Sequence, residues 1–334
     1  MKTNTLKQIA LAAFLCVGLA ACSSDDNNTT TDNSIAGIAS RTSNLSTLVS
    51  ALNKTGLTAT LSGSGTFTVF APTNDAFNAF LTANGFANLD AVPVPVLKNI
   101  LLNHVIGTEI PSSALPAATY ASTLSPINTT ANAPTISMFV QKSGNVVTIN
   151  GGPANKGTTV ATADIDATNG VIHVVNDVIA IPTLVNHVVA NPDFDTLQAV
   201  VTSTSGAFGD QSAVLSALNG ITAAAPATLF APNNAAFTAA TTGSGFAVGA
   251  TAAQVTKVLQ YHVTAAGNVR SNQLTNNQSV PMITSPVQNT TVVLGSGTVD
   301  IQDSASNLAR VFQADIQCSN GVIHGVQRVL QPQL

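Results

Sequence analysis

Short apolar runs along this chain recur in the same order and with the same breaks between them. Phe67–Phe77 reads FTVFAPTNDAF, and Ala227–Phe237 reads ATLFAPNNAAF. The β-branched and aromatic residues that open each stretch predict a strand, and the proline that follows ends its ladder pairing. Asn74 is predicted to cap a helix that begins at Asp75, and Asn234 is predicted to cap the corresponding helix in the second copy.

Two further stretches repeat downstream of each copy. They pair LLNHVI (101–106) with LQYHVT (259–264), and ADIDATNGVIHVVNDVI (163–179) with ADIQCSNGVIHGVQRVL (314–330). Asn-Gly between two strand-like runs predicts a hairpin. Self-similarity of this kind indicates two copies of one domain, residues 34–182 and 183–334.

Taken in order, the repeated stretches resemble the fasciclin (FAS1) domain over residues 34–334. The features that carry the resemblance are a strand followed by Ala-Pro-Thr-Asn-x-Ala-Phe, a Tyr-His-like pair, and Asn-Gly-Val-Ile-His. The resemblance implies an α+β fold, with a wedge or sandwich of β-strands and packed α-helices in each domain. It implies roles in the structural framework for Thr73, Asn74, His173, Asn233, Asn234 and His324.

The resemblance also implies a secreted or cell-surface protein that acts in adhesion and in contact with extracellular matrix. In some animal relatives the Tyr-His pair has been linked to cell attachment, so Tyr261 and His262 are candidate partner-binding residues. Asn103 and His104 occupy the same positions in the first domain. Asn103 departs from the Tyr-His pattern, which leaves open whether the first domain shares that role.

The N-terminus has the pattern of an export signal. Lys2 and Lys7 precede an uncharged apolar run that is short for a membrane-spanning helix. The run ends in Leu-Ala-Ala-Cys, which resembles the bacterial lipoprotein box, so residues 1–21 are predicted to be removed and Cys22 to carry the lipid. An ordinary signal peptide with a chance cysteine is the alternative.

Residues 22–33 are predicted to be the lipidated cysteine and a solvated polar tether, because the stretch after Cys22 has no apolar residue to bury. Asp25 and Asp26 resemble the acidic signal that sends some Bacteroidetes lipoproteins to the outer face of the outer membrane. A plain linker is the alternative reading. We therefore expect a lipid-anchored envelope protein in the outer membrane; the acidic pair would place it at the cell surface.

Composition excludes some classes of partner. Without residues 1–21 the chain keeps 9 basic and 15 acidic residues and has no basic patch, so nucleic acid is not an expected partner. Cys318 is then the only cysteine besides Cys22, which rules out a disulfide within the folded domains. Cys318 aligns with Ala167, which predicts a half-buried packing position; a reactive thiol is the alternative.

No spacing typical of catalysis or metal binding occurs. The chain has no His-x3-His, no Cys-x2-Cys and no Gly-x-Ser-x-Gly, so we expect no enzyme activity, no metal and no cofactor. His173 and His324 lie in apolar strands, which predicts buried rings that donate to backbone carbonyls. His187 has no counterpart in the other copy and is expected at the surface.

These observations favour a non-catalytic envelope lipoprotein that contacts matrix, a cell-surface protein or glycan, and that is held to the membrane by its lipid. The alternative is an accessory lipoprotein that binds glycans or small molecules for nutrient capture. Sugar sites usually stack rings on aromatic side chains, and this chain has no Trp and two Tyr, which speaks against that alternative.

Overall fold

The computed structural model describes residues 31–241 and 249–334. Residues from Asp32 to Leu334 form one compact unit. The predicted signal (1–21), the predicted lipid site Cys22 and the tether up to residue 30 lie outside the described residues. In the described part of the chain, no helix is both long enough and apolar enough to cross a bilayer.

The N-terminal half contains five helices and seven strands among the described residues. The helices are α1 (Ile35–Arg41), α2 (Ser46–Thr55), α3 (Thr58–Ser62), α4 (Asn74–Ala83) and α5 (Val94–Asn103). The strands are β1 (Phe67–Pro72), β2 (Val105–Ile106), β3 (Ala118–Pro126), β4 (Thr135–Ser143), β5 (Val146–Ile149), β6 (Thr158–Ala167) and β7 (Gly170–Val175).

The C-terminal half repeats this order in its described residues. Its helices are α6 (Leu184–Ala190), α7 (Asp195–Val201), α8 (Ser212–Asn219), α9 (Asn234–Thr241) and α10 (Ala252–Gln260). Its strands are β8 (Ala227–Pro232), β9 (Val263–Thr264), β10 (Ser279–Pro281), β11 (Asn289–Gly295), β12 (Thr298–Gln302), β13 (Leu308–Cys318) and β14 (Gly321–Val326).

The two sheets share one topology but differ in closure. In the N-terminal half the strands close into a barrel in the order β1 to β7, with β1 and β7 parallel. In the C-terminal half the order is β10-β11-β12-β13-β14-β8-β9, with β14 and β8 parallel. The sheet stays open between β9 and β10, where one bond from the Ile283 N–H to the Val263 carbonyl (3.0 Å) joins the two sides.

The near-continuous apolar runs of β7 and β14 follow from their central position. Every residue of both strands is buried, because each lies between a parallel and an antiparallel neighbour with side chains packed on both faces. On one side of each sheet the helices cover the strands with a core of Leu, Val, Ile and Phe. A second apolar cluster packs on the opposite face of the strands in each half, and in the N-terminal half it fills the barrel interior.

The predicted hairpins before β7 and β14 are confirmed, and the asparagine in each has an additional role. Asn169 Oδ1 accepts from the Ile35 N–H at the start of α1 (2.9 Å), and its Nδ2 donates to the carbonyls of Leu61 and Gly63. Asn320 Oδ1 likewise accepts from the N–H of the first residue of α6. One side chain in each half thus joins the hairpin to the helical layer.

Candidate functional site

Thr73 and Asn233 cap the helices that follow the first repeated strand. The side-chain oxygen of each accepts from the backbone N–H three residues on, at 3.2 Å for Thr73 and 2.8 Å for Asn233. The helices therefore begin at Asn74 and Asn234. The prediction that these two asparagines are the caps is wrong by one residue, because threonine and asparagine at the preceding position serve equally well.

Asn74 and Asn234 instead serve a neighbouring helix. Asn74 Oδ1 accepts from the Thr47 N–H in the first turn of α2 (2.9 Å), and Asn234 Oδ1 accepts from the Thr196 N–H in the first turn of α7 (2.9 Å). Each amide also donates to a backbone carbonyl just before that helix. Backbone N–H groups in the first turn of a helix have no partner within that helix, and each asparagine provides an acceptor for one of them.

His104 and His262 join the end of a helix to the segment that follows the last strand. His104 Nδ1 donates to the Ile100 carbonyl (2.8 Å), and its Nε2 accepts from the Ile179 N–H (2.9 Å). His262 makes the same two bonds, to the carbonyl four residues back (2.7 Å) and from the Leu330 N–H (2.9 Å). Burial lowers the pKa of each histidine to about 4, so both rings are neutral at pH 7.

The residues beside these histidines are also buried. The Tyr261 hydroxyl donates to the Asn289 carbonyl (2.7 Å), and Asn103 Nδ2 lies 3.3 Å from the Ile179 carbonyl. All four candidate partner-binding residues are at most 2% exposed: Asn103, His104, Tyr261 and His262. Because no partner can reach these side chains in the folded structure, its geometry does not support the predicted direct contact and assigns them to the framework.

Replacing Tyr261 with phenylalanine distinguishes the two roles. Tyr261→Phe removes the hydroxyl that donates to the Asn289 carbonyl, so we expect the free energy of unfolding to fall by about 1 kcal/mol. Attachment measured on the folded variant should be unchanged. Urea unfolding followed by circular dichroism gives the first quantity. Reduced attachment with an unchanged free energy of unfolding would instead indicate that Tyr261 contacts the partner.

His173 and His324 lie beside a serine and an aspartate. His173 Nδ1 accepts from the Asp164 N–H (3.2 Å), and its Nε2 donates to the Ile110 carbonyl (3.1 Å), which confirms the predicted donation to backbone. The Ser112 hydroxyl donates to the Asp164 carboxylate (2.5 Å). The C-terminal half repeats these contacts with Ser271, Asp315, His324 and Val269.

These residue types also form hydrolase triads, but the hydrogen bonds run differently here. In a triad the histidine accepts the serine proton. In both halves of this chain the serine donates to the aspartate, and the histidine nitrogen nearest the aspartate is occupied by its backbone N–H. Burial also lowers the pKa of His173. The arrangement fixes a loop to the sheet and provides no activated nucleophile.

Both sets of contacts occur once in each half of the chain. The sequence matches the fasciclin domain family over residues 43–182 and again over residues 194–332. The chain belongs to the fasciclin family. The prediction of two tandem fasciclin domains with an α+β fold is therefore confirmed.

Similar proteins come from bacteria and animals. Protein sll1483 of Synechocystis is 36% identical over 148 residues, which is 44% of this chain and 73% of that protein. Rabbit transforming growth factor-beta-induced protein ig-h3 is 31% identical over 144 residues, 41% of this chain and 18% of that protein. The solved FAS1 domain pair of the insect cell adhesion molecule fasciclin I shares 18% identity, with a TM-score of 0.49 over 84% of this chain and 92% of that chain.

Metal binding has no candidate site in the described parts of the two fasciclin domains. No three His, Cys, Asp or Glu side chains come together there. Four of the histidines make the hydrogen bonds given above. Asp164 is engaged by Ser112, which holds its pKa below the usual value.

The fifth histidine lies between the domains, which sequence reasoning missed. His187 was expected at the surface but is fully buried on α6 of the second fasciclin domain, where its ring meets Tyr120 of the first domain edge-on at 5.4 Å. Cys318 is also fully buried, not half-buried, and burial raises the pKa of its thiol. The sequence did carry one signal of this position: His187 has no counterpart in the first domain. Residues at an interface between two repeated domains differ between the copies, because each copy contributes a different surface.

An apolar surface remains exposed on the first fasciclin domain. Val94 and Val96 at the start of α5 are 43% and 46% exposed. Val96 also lines a groove of about 600 Å³ together with Ile127 and Ile181. An open groove with apolar side chains in its wall is typical of contact sites for other molecules.

Proposed function

We propose that this protein is a non-catalytic lipoprotein of the cell envelope whose two fasciclin domains mediate adhesion or contact with extracellular matrix. The observation that carries the proposal is the tandem fasciclin architecture itself. The internal use of the repeated histidines, serines and aspartates supports it, because these groups hold the fold and are not presented to a substrate.

The proposed anchor is a lipid on Cys22. Several acyl chains on one residue give stable attachment, whereas a single chain gives marginal binding. The polar stretch that follows would hold the folded unit away from the bilayer, and Asp25 and Asp26 favour export to the outer membrane and display at its surface. Acidic composition favours matrix, a surface protein or glycan over nucleic acid as the partner.

The exposed apolar surface around Val96 is the contact site that we favour. Its groove lies beside the segment that links the two domains, since Ile181 forms part of its wall. A partner that fills this groove would cover Val96 and remove apolar surface from water, which is the main driving force for association. Two such domains on one anchored chain would add avidity where both engage a partner.

Attachment of intact cells tests the proposal. Cells that lack the protein should attach to matrix-coated surfaces less than parent cells, and the wild-type gene should restore attachment. A Cys22→Ala gene should not restore it, because the protein would no longer be held at the envelope. Equal attachment by deleted and parent cells would contradict the adhesive function, and binding of purified protein to glycans alone would favour the accessory role.

Two matched variants test the contact site. Val96→Glu puts a charge on the proposed contact surface, and Val146→Glu puts one on an equally open position of β5, where the valine is 55% exposed. We expect Val96→Glu to reduce attachment at least tenfold more than Val146→Glu, since a charge buried at an interface without a partner costs more than about 1.4 kcal/mol. Equal effects would place the contact elsewhere on the molecule.

A further inference from the structure

The two fasciclin domains meet at an interface with direct polar contacts, which include a bond from Asn191 Nδ2 to the Tyr120 hydroxyl (3.3 Å). Strand β4 of the first domain packs against β13 of the second, and the Gln317 N–H donates to Ser137 Oγ (2.9 Å). Asn155 and Asn186 exchange two bonds, from Asn155 Nδ2 to the Asn186 carbonyl (2.7 Å) and from Asn186 Nδ2 to Asn155 Oδ1 (3.0 Å). No ion pair joins the domains among residues 31–241 and 249–334.

His187 lies in this interface without polar partners of normal geometry. Neither ring nitrogen makes a hydrogen bond to a described residue, although the ring is fully buried. Ser137 of the first domain and Gln317 of the second place backbone groups close to the ring. These groups favour the charged form of the ring slightly. Burial outweighs that effect and lowers the pKa of His187 to about 4.

Nearby groups offer no compensating charge. Tyr120, which contacts the ring, and Cys318 on β13 are both neutral at pH 7, because burial raises the pKa of each. The elements packed on α6 carry the following titratable groups: Lys156, Asp193, Asp195 and His324. None of them contributes a charge interaction to the pKa of His187. A proton on this ring would therefore be a buried charge without a counter-ion.

From this geometry we propose that His187 makes the contact between the two fasciclin domains acid-sensitive, so that protonation of its ring separates the domains while each stays folded. Separation exposes the ring to water, where it binds a proton with an ordinary affinity. Separation of the domains requires breaking only the interface, whereas a proton can reach His104 or His262 only when a whole domain is disrupted. In the first domain Ile38 stands at the equivalent position, so the titrating group is specific to this interface. The inference is independent of the proposed adhesion.

The size of the effect follows from the two proton affinities. Each pH unit below the ordinary histidine pKa of about 6.5 favours the separated state tenfold until the buried pKa is reached. Between pH 6.5 and 5 the opening equilibrium should therefore rise about 15-fold, because half of the exposed rings are already protonated at pH 6.5. Most carboxylates remain ionised in this window, which keeps their titration from obscuring the result.

Hydrogen exchange of the Gln317 amide tests the proposal directly, because its hydrogen bond crosses the interface. In the compact unit 32–334, we expect the protection factor of this amide, corrected for intrinsic exchange, to fall about 15-fold from pH 6.5 to 5. Far-UV circular dichroism should stay constant over the same range. A constant protection factor, or a fall that accompanies loss of circular dichroism, would overturn the proposal.

Two variants isolate the histidine. His187→Leu and His187→Phe both remove the titrating group, and the second keeps an aromatic ring against Tyr120, so at least one should preserve the interface at pH 7. We expect the protection factor of Gln317 to become independent of pH in the folded variant. A decline as steep as that of the wild type would show that another group controls the interface.

Discussion

A Gly321→Ala variant is expected to lose roughly 3–5 kcal/mol of unfolding free energy in the second fasciclin domain, from backbone strain and overpacking together. Gly321 opens β14 with φ at +155°, and a Cβ there would lie 2.0 Å from the Ala227 carbonyl oxygen. That oxygen belongs to the parallel neighbour β8, which is buried throughout and cannot move aside. In the first domain, a Cβ on Gly170 would clash in the same way with the Phe67 carbonyl oxygen.

Gly297 provides the control for this prediction. It also has positive φ (+74°), but a Cβ there would have no atom within 4 Å. Gly297→Ala should therefore lower the free energy of unfolding by only about 1 kcal/mol, which is the cost of placing alanine in a left-handed backbone conformation. Urea unfolding of both variants measures the difference. Equal losses would show that the close approach of β8 and β14 is not the reason for the glycine.

Mild acid is expected to destabilise both fasciclin domains through His104 and His262. Each has a pKa of about 4 in the folded state, below the ordinary value near 6.5. Between these values the unfolded chain binds more protons than the folded chain, so the stabilisation is complete above pH 6.5 and is lost as pH falls toward 4. From pH 6.5 to 5 the loss should reach about 1.6 kcal/mol for each histidine.

Urea unfolding at several pH values between 7.5 and 5 measures this slope. His262→Gln should lower the stability of the second domain at pH 7, because the Leu330 N–H loses its acceptor. The same variant should also flatten the pH dependence of that domain, while the first domain keeps its slope through His104. An unchanged slope in the second domain would mean that His262 is not the titrating group.

The sequence predicted the tandem domains, the order of the repeated elements and the buried rings of His173 and His324, because these depend on local patterns that occur twice. It offered His104 and His262 as partner-binding residues, and the structure buries both. It placed the helix cap one residue late, since Thr73 and Asn74 are both good caps and only the distant Thr47 N–H decides between them. It put His187 at the surface, because periodicity within a helix does not show what a second domain will cover. Spacing along the chain does not reveal which distant residues a side chain will contact in the folded protein.

The open sheet of the second domain has a consequence for contacts between copies of the chain. An unpaired strand edge can serve as a template on which strands of other chains add. The barrel of the first domain has no such edge, and the two edges of the second sheet, β9 and β10, span only two and three residues. Pro281 ends β10 and supplies no N–H, and the Ile283 N–H already occupies the Val263 carbonyl on β9. Many copies can therefore stand side by side without their sheets joining into fibres.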